Sequence, residues 1–316
     1  MITYRATLDV PAETALRLAV WLGEHRRNLG TRTGRRAAGC YRQAVLVLRW
    51  FRDDTSLRML ARDAGIGIST AYRYLHQGID VLAARAPDLH DVLARGRQAG
   101  WSHVNLDGTL IETNRCAARN DNGHDTWYSG KHKKHGGNVQ VLCDPSGFPV
   151  WTSPVEPGST HDITAARTHA LPALYPAAAA GLPTLTDKGY TGAGIGIQVP
   201  TKGHNLAPDT ATRNTLLTAI RALGERGNAI LKTRWKALRR IRLCPKESAT
   251  SPPPLSSCPP SNAETTEKTS VSRLIEREPL GQTSAACLSL AWRHRRILLP
   301  PNNPFGPGQA VDHTQQ

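Results

Sequence analysis

The chain has 316 residues, a net charge of +15 and a pI of about 10.0. That length is enough for two ordinary domains, and a balance this basic calls for a polyanionic partner, nucleic acid or an anionic surface. No stretch approaches the roughly 20 apolar residues that span a bilayer, and the run from Leu171 to Leu182 is broken by Pro172 and Pro176. The N-terminus lacks a secretory apolar core. The six cysteines include no Cys-x-x-Cys pair, so neither a zinc nor a disulfide framework is expected, and the thiols read as reduced ones in a cytoplasm. The chain also lacks a Gly-x-Ser-x-Gly elbow and a His-Glu-x-x-His motif, which argues against serine and zinc hydrolases.

Residues 1–100 read as helical. Pro11 suits the first position of a helix, and Leu16, Ala19, Val20 and Trp21 recur at helical spacing as far as Arg27. A basic loop with Arg32, Arg35 and Arg36 precedes a second helix from about Tyr41 to Phe51. Ser56 to Gly65 predicts a short helix closed by glycine. Ile66-Gly67-Ile68 then turns, and Ser69 is placed to cap a helix over Thr70 to Gln77. Two short helices around such a turn, at about residues 55–78, fit a helix-turn-helix. Its second helix would offer Thr70, Tyr72, Arg73 and His76 to the DNA major groove; the plainer reading is a helical hairpin in a bundle.

Residues 101–243 alternate strands with helices. His103 to Leu106 predicts a strand ending at Asp107-Gly108. Val139 to Cys143 and Phe148 to Thr152 predict a hairpin around the turn Asp144-Pro145-Ser146-Gly147, with Pro149 at an irregular or edge position. Asp162 to Thr168 opens a helix, and Thr184-Leu185-Thr186 is a short strand ending at Asp187. Ile197 to Pro200 is another strand, and Asp209 to Leu238 is a long helix. This order predicts a mixed α/β sheet covered by helices. Gly130 to Gly137 predicts a basic loop whose Lys131, Lys133 and Lys134 are candidate phosphate contacts. Residues 244–316 turn to Pro, Ser, Thr and charge, a composition that reads as disordered.

Asp107 and Asp187 are expected at the carboxyl ends of strands, where ligands gather in open α/β sheets, and Glu225 lies in the long helix. Two Asp and a facing Glu make a set of hard oxygen donors suited to Mg²⁺ or Mn²⁺. Two such ions activate a water or a 3′-hydroxyl and stabilise the leaving oxygen of a phosphodiester. Arg221, Glu225, Asn228 and Lys232 share one helical face. Arg221 and Lys232 are therefore candidate phosphate contacts, and Leu216, Ile220, Leu223 and Ile230 are expected to face the core. Gly224 and Gly227 weaken the helix by roughly 1 kcal/mol each, which close packing of the sheet or of DNA would explain.

These residues resemble the DDE-superfamily transposases of bacterial insertion sequences, in the branch related to eukaryotic Harbinger elements. The matching pieces are Val104 to Thr109, Pro157 to Asp162, Thr186 to Tyr190, and Arg221 through Glu225 to Lys232, within about residues 40–243. The resemblance implies an RNase H-like catalytic core behind a helix-turn-helix region, with Asp107, Asp187 and Glu225 as a metal-binding triad and Arg221 and Lys232 beside it. It implies two divalent ions, Mg²⁺ or Mn²⁺, and strand cleavage followed by strand transfer. The implied partner is double-stranded DNA, both terminal inverted repeats and target, with a homo-oligomer at work in the nucleoid. His161, Asp162, Tyr190 and Asn228 are candidate supporting residues. Thr218 stands where the family usually has Tyr, and the tail after residue 244 departs from the family's apolar ending, as a frameshifted or decayed tail would. Alternatives from the same residues are an endonuclease without strand transfer and an inactive or domesticated DNA-binding remnant.

Overall fold

The computed structural model describes residues 7–241 except 116, 117 and 121. Its first part is five helices: α1 (Ala12–Asn28), α2 (Cys40–Asp53), α3 (Leu57–Asp63), α4 (Ile68–Ala83) and α5 (Leu89–Gln98). Caps follow ordinary chemistry: Ser56 accepts from the Met59 N–H at the start of α3, and Asp88 accepts from the His90 N–H at the start of α5. The start of α4 differs from expectation. Gly67, not Ser69, is its N-cap, and the helix runs on to Ala83. The apolar stripe Leu75, Ile79 and Leu82 carries it past Gln77, because burial against α2 outweighs the cost of an internal glycine. At Gly78 a Cβ would lie 2.3 Å from Val47, so the glycine is what allows α4 to approach α2.

The second part is a mixed sheet. Its strands are β1 (Val104–Thr113), β2 (Tyr128–Ser129), β3 (Lys134–Cys143), β4 (Pro149–Thr152), β5 (Glu156–Pro157), β6 (Thr184–Leu185), β7 (Ile197–Gln198) and β8 (Arg240–Ile241). The main order is β2-β3-β1-β6-β7, with β4 and β5 on β3 and β8 on β1. β1 and β3 pair antiparallel over most of their length, whereas β6 lies parallel to β1 only at Val104 and Asn105. Three helices, α6 (Asp162–His169), α7 (Leu171–Ala179) and α8 (Pro208–Arg234), flank the sheet. This arrangement fits an RNase H-like core. The β3–β4 hairpin is as expected, with a register shift beside Pro149. α7 forms across the proline-rich run: Pro172 falls in its first turn, where no N–H is needed, and Leu171, Ala173, Leu174 and Ala177 are buried.

Two expectations are corrected. Asp107 does not end its strand: β1 continues to Thr113 because β3 pairs with it from Asn105 to Glu112. The apolar stripe of α8 does not face the core either. Leu216, Ile220 and Leu223 are exposed, while Gly224, Gly227 and Leu231 are buried against the sheet. The glycines decide this. A Cβ on Gly224 would lie 2.7 Å from the Asn105 side chain, and one on Gly227 would lie 2.4 Å from Cys143 Sγ, so α8 approaches at backbone distance. The tail expectation lies outside the described residues.

One apolar cluster joins the helical part to the sheet: Leu22, Leu48, Phe51 and Leu75 meet Ile111, Val139, Leu231 and Trp235. The Phe51 and Trp235 rings meet edge to face at 6.4 Å. A second cluster fills the opposite face, where α5, α6 and α7 cover Val104, Leu106 and Leu142.

Candidate active site

Alternation along β1 sends Asp107 to one face and Gly108 to the other. On the first face the Asn228 side chain of α8 donates to Asp107 Oδ2 at 2.9 Å, and the Gly108 N–H holds Oδ1 at 2.9 Å. Asp187 follows β6 and caps a 3₁₀ turn over Lys188–Tyr190, its Oδ1 accepting from the Gly189 N–H. Because β6 is so short, β1 outruns it, and Asp107 and Asp187 come within each other's field beside that step. The Asp107 carboxyl is pushed up to about 6, chiefly by burial and then by the charge of Asp187; the Arg221 guanidinium opposes this, and Asp162 adds to it.

Glu225 lies one turn before Asn228 but is turned outward. Arg221 donates to its Oε1 at 2.7 Å, and the Glu225 side chain is 59 % exposed. Among the described residues no three His, Cys, Asp or Glu side chains converge to hold an ion as they stand. The donors nevertheless fit a hard divalent cation. Asp107 and Asp187 repel, one is half-buried at a raised pKa, and a cation between them would relieve both costs. Lys232, the other expected phosphate contact, donates to the Leu110 carbonyl at 2.9 Å, and burial lowers its pKa.

On the opposite face Asp162, the first residue of α6, accepts from Asn138 at 2.8 Å and from Lys131 at 2.9 Å. A Cβ on Gly108 would lie 2.3 Å from Asp162 Oδ1. The glycine after Asp107 therefore makes no turn; it makes room for a third carboxylate. Tyr190 is buried and donates to Gln140 at 2.6 Å, and its pKa is raised well above the ordinary value, mainly by burial. Asn138 and Gln140 were missed by sequence reasoning, since amides in a strand carry no motif. His161 is exposed at the N-cap of α6.

The basic segment is only partly loop. Lys134 begins β3 and pairs with Glu112 in β1, Lys131 pairs with Asp162, and Lys133 is exposed at a φ of 55°. In α4, Arg73 is exposed and Thr70 and Tyr72 are half-buried. His76 is corrected as a groove contact: it is buried, with its ring 4.2 Å from that of Tyr72. Neither Cys40 nor Cys143 is in a disulfide. No described helix is long and apolar enough to cross a membrane.

A family model described as DDE superfamily endonuclease matches residues 106–251, just under half of the chain. Endonucleases of this superfamily act on DNA and generally use divalent metal ions. No curated protein and no solved structure matches the chain.

Proposed function

We propose, from the premise that the match over residues 106–251 marks a DDE-superfamily, transposase-like domain, that the chain is a DNA transposase acting at insertion-sequence ends. The observation that carries this reading is the pairing of Asp107 and Asp187 beside the open step of β1, with α8 bringing Asn228 onto Asp107. Asp107, Asp187 and Glu225 would hold two Mg²⁺ or Mn²⁺ ions. When bound, these supply activation of a water or 3′-hydroxyl and charge stabilisation at the leaving oxygen.

The chain's own residues prepare that chemistry. Asn228 and the Gly108 N–H fix the Asp107 carboxylate, and the Gly189 N–H fixes Asp187. Glu225 would complete the set by leaving Arg221, a rotation of its own exposed side chain that an i,i+4 pair resists only weakly, by about 0.3–0.5 kcal/mol. Arg221 is then released to meet a DNA phosphate. Exposed Lys133 adds non-specific phosphate contact. α3 and α4 act as a helix-turn-helix in which Arg73, Thr70 and Tyr72 face DNA.

The test is a strand-transfer assay. A labelled duplex ending in the element's inverted repeat is incubated with plasmid, protein and Mg²⁺. Joined products support the transposase; cut but unjoined ends assign an endonuclease; binding without cutting assigns a DNA-binding remnant.

A further inference from the structure

Asp162 is held by a hydrogen-bonded chain that crosses the sheet on its α6 face. The Tyr190 hydroxyl donates to Gln140 Oε1 at 2.6 Å, Gln140 Nε2 donates to Asn138 Oδ1 at 3.3 Å, and Asn138 Nδ2 donates to Asp162 Oδ1 at 2.8 Å. Asn138 also donates to the Thr160 carbonyl at 2.9 Å. Every amide thus turns its oxygen toward Tyr190 and its N–H groups toward Asp162. The chain is buried along its length: Tyr190 and Gln140 are fully covered and Asn138 nearly so. A buried amide that flipped would leave a donor facing a donor, so the order is fixed.

The far end is a charge pair of unequal exposure. Asp162 is 17 % exposed and Lys131 is 65 % exposed, at 2.9 Å. The Lys131 pKa is raised, first by the hydrogen bond it donates to Asp162 and further by the charges of Asp162, Asp187 and Asp107. Its ammonium therefore lies in the field of all three carboxylates and is reachable from solvent, on the wall of a cavity of about 360 Å³ that Asp162 also lines. An ion pair serving only to tether the loop would need neither the relay to Tyr190 nor a glycine at 108.

We propose that Asp162 is a positioning residue: anchored through Asn138 and Gln140 to Tyr190, it fixes the Lys131 ammonium on the α6 face of the sheet, within the field of Asp107 and Asp187, where Lys131 meets a DNA phosphate near the scissile bond. This rests on the DNA-cleaving reading for its purpose but not for its geometry. It also ties the segment carrying Asp187 to the loop carrying Lys131, because Tyr190 belongs to the same turn as Asp187.

Two readouts on the full chain test it. The first needs no activity: competitive acylation of lysines with peptide mapping, on wild type, Asp162→Asn and Tyr190→Phe, each with its melting temperature. Asp162→Asn is expected to raise Lys131 labelling about tenfold, the scale of one charge-assisted hydrogen bond. Tyr190→Phe, which removes a hydrogen bond to Gln140 and none made by Asp162 or Lys131, is expected to raise it about threefold with the fold intact, as loss of a neutral hydrogen bond would. Unchanged labelling in both variants overturns the positioning chain. The second readout is the salt dependence of binding to a DNA duplex. Lys131→Ala should lower the slope by about one phosphate contact and Lys131→Arg should restore it; an unchanged slope in Lys131→Ala overturns the phosphate role. A wild type that binds but never cuts DNA removes the transposase reading, while labelling and slope still decide this one.

Discussion

Replacing Asp107 by Asn should stabilise the metal-free protein near neutral pH, although it removes a residue expected to be essential for activity. In the folded chain the Asp107 carboxyl titrates at about 6 instead of 3.8, so the folded state carries a penalty for its charge. A raised carboxyl pKa costs stability that is fully present above the folded value and absent below the unfolded one. The shift corresponds to about 3 kcal/mol at pH 7.5. An amide has one acceptor where the carboxylate uses two, for the Gly108 N–H and for Asn228; losing one returns about 1–2 kcal/mol. The net gain is about 1–2 kcal/mol, or roughly 2–8 °C in Tm for a folded part of this size. At pH 4 wild-type Asp107 is itself protonated, the gain disappears, and the variant becomes slightly the less stable. Thermal melts in EDTA at the two pH values measure this. A variant destabilised equally at both would refute the reasoning.

Four further outcomes follow from the same geometry. Mg²⁺ or Mn²⁺ should raise the wild-type Tm, with an effect that strengthens as pH rises through about 6 and Asp107 loses its proton, and should not raise that of Asp107→Asn. Glu225→Gln should weaken the metal response while changing metal-free stability by less than about 0.5 kcal/mol, since the Glu225 end of its i,i+4 pair with Arg221 is exposed and an amide oxygen can still accept from Arg221; a large stability loss would contradict that outward placement of Glu225. Gly227→Ala should destabilise by about 1–3 kcal/mol in chemical denaturation despite alanine's better helix propensity, because its Cβ would meet Cys143 and the Gly147 carbonyl. Trp235→Ala should cost about 3–5 kcal/mol and unfold the helical part together with the sheet in a single transition, since Trp235 is shared between them; two separate transitions would contradict that shared core.

Much of the fold was legible because local signals and tertiary packing agreed. The Asp144–Gly147 turn fixed the hairpin, and the Arg221–Lys232 spacing put the candidate site residues of the long helix on one stripe of α8. The misreadings share a cause: contact across the sheet outweighed a local signal. Asp107-Gly108 reads locally as a turn, yet β3 holds it in mid-strand and Asp162 takes the room the glycine leaves. The leucines of α8 read as its core face, yet the two glycines let the helix lie closer on its other side. His76 reads as a groove contact by its place in α4, yet it is buried. Asn138 and Gln140 gave no signal because their role exists only once Tyr190 and Asp162, separated in sequence, are brought to opposite ends of the amide pair.

The most direct measurement is cleavage of a labelled DNA duplex carrying the inverted repeats that the proposed function calls for, in Mg²⁺, Mn²⁺ or EDTA, by wild type and by Asp187→Ala. Cutting that requires the metal and is lost by at least about a hundredfold in Asp187→Ala is the predicted result. Metal-dependent cutting that persists undiminished in Asp187→Ala would contradict the account, because the reaction would then proceed without the carboxylate pair at the step between β1 and β6.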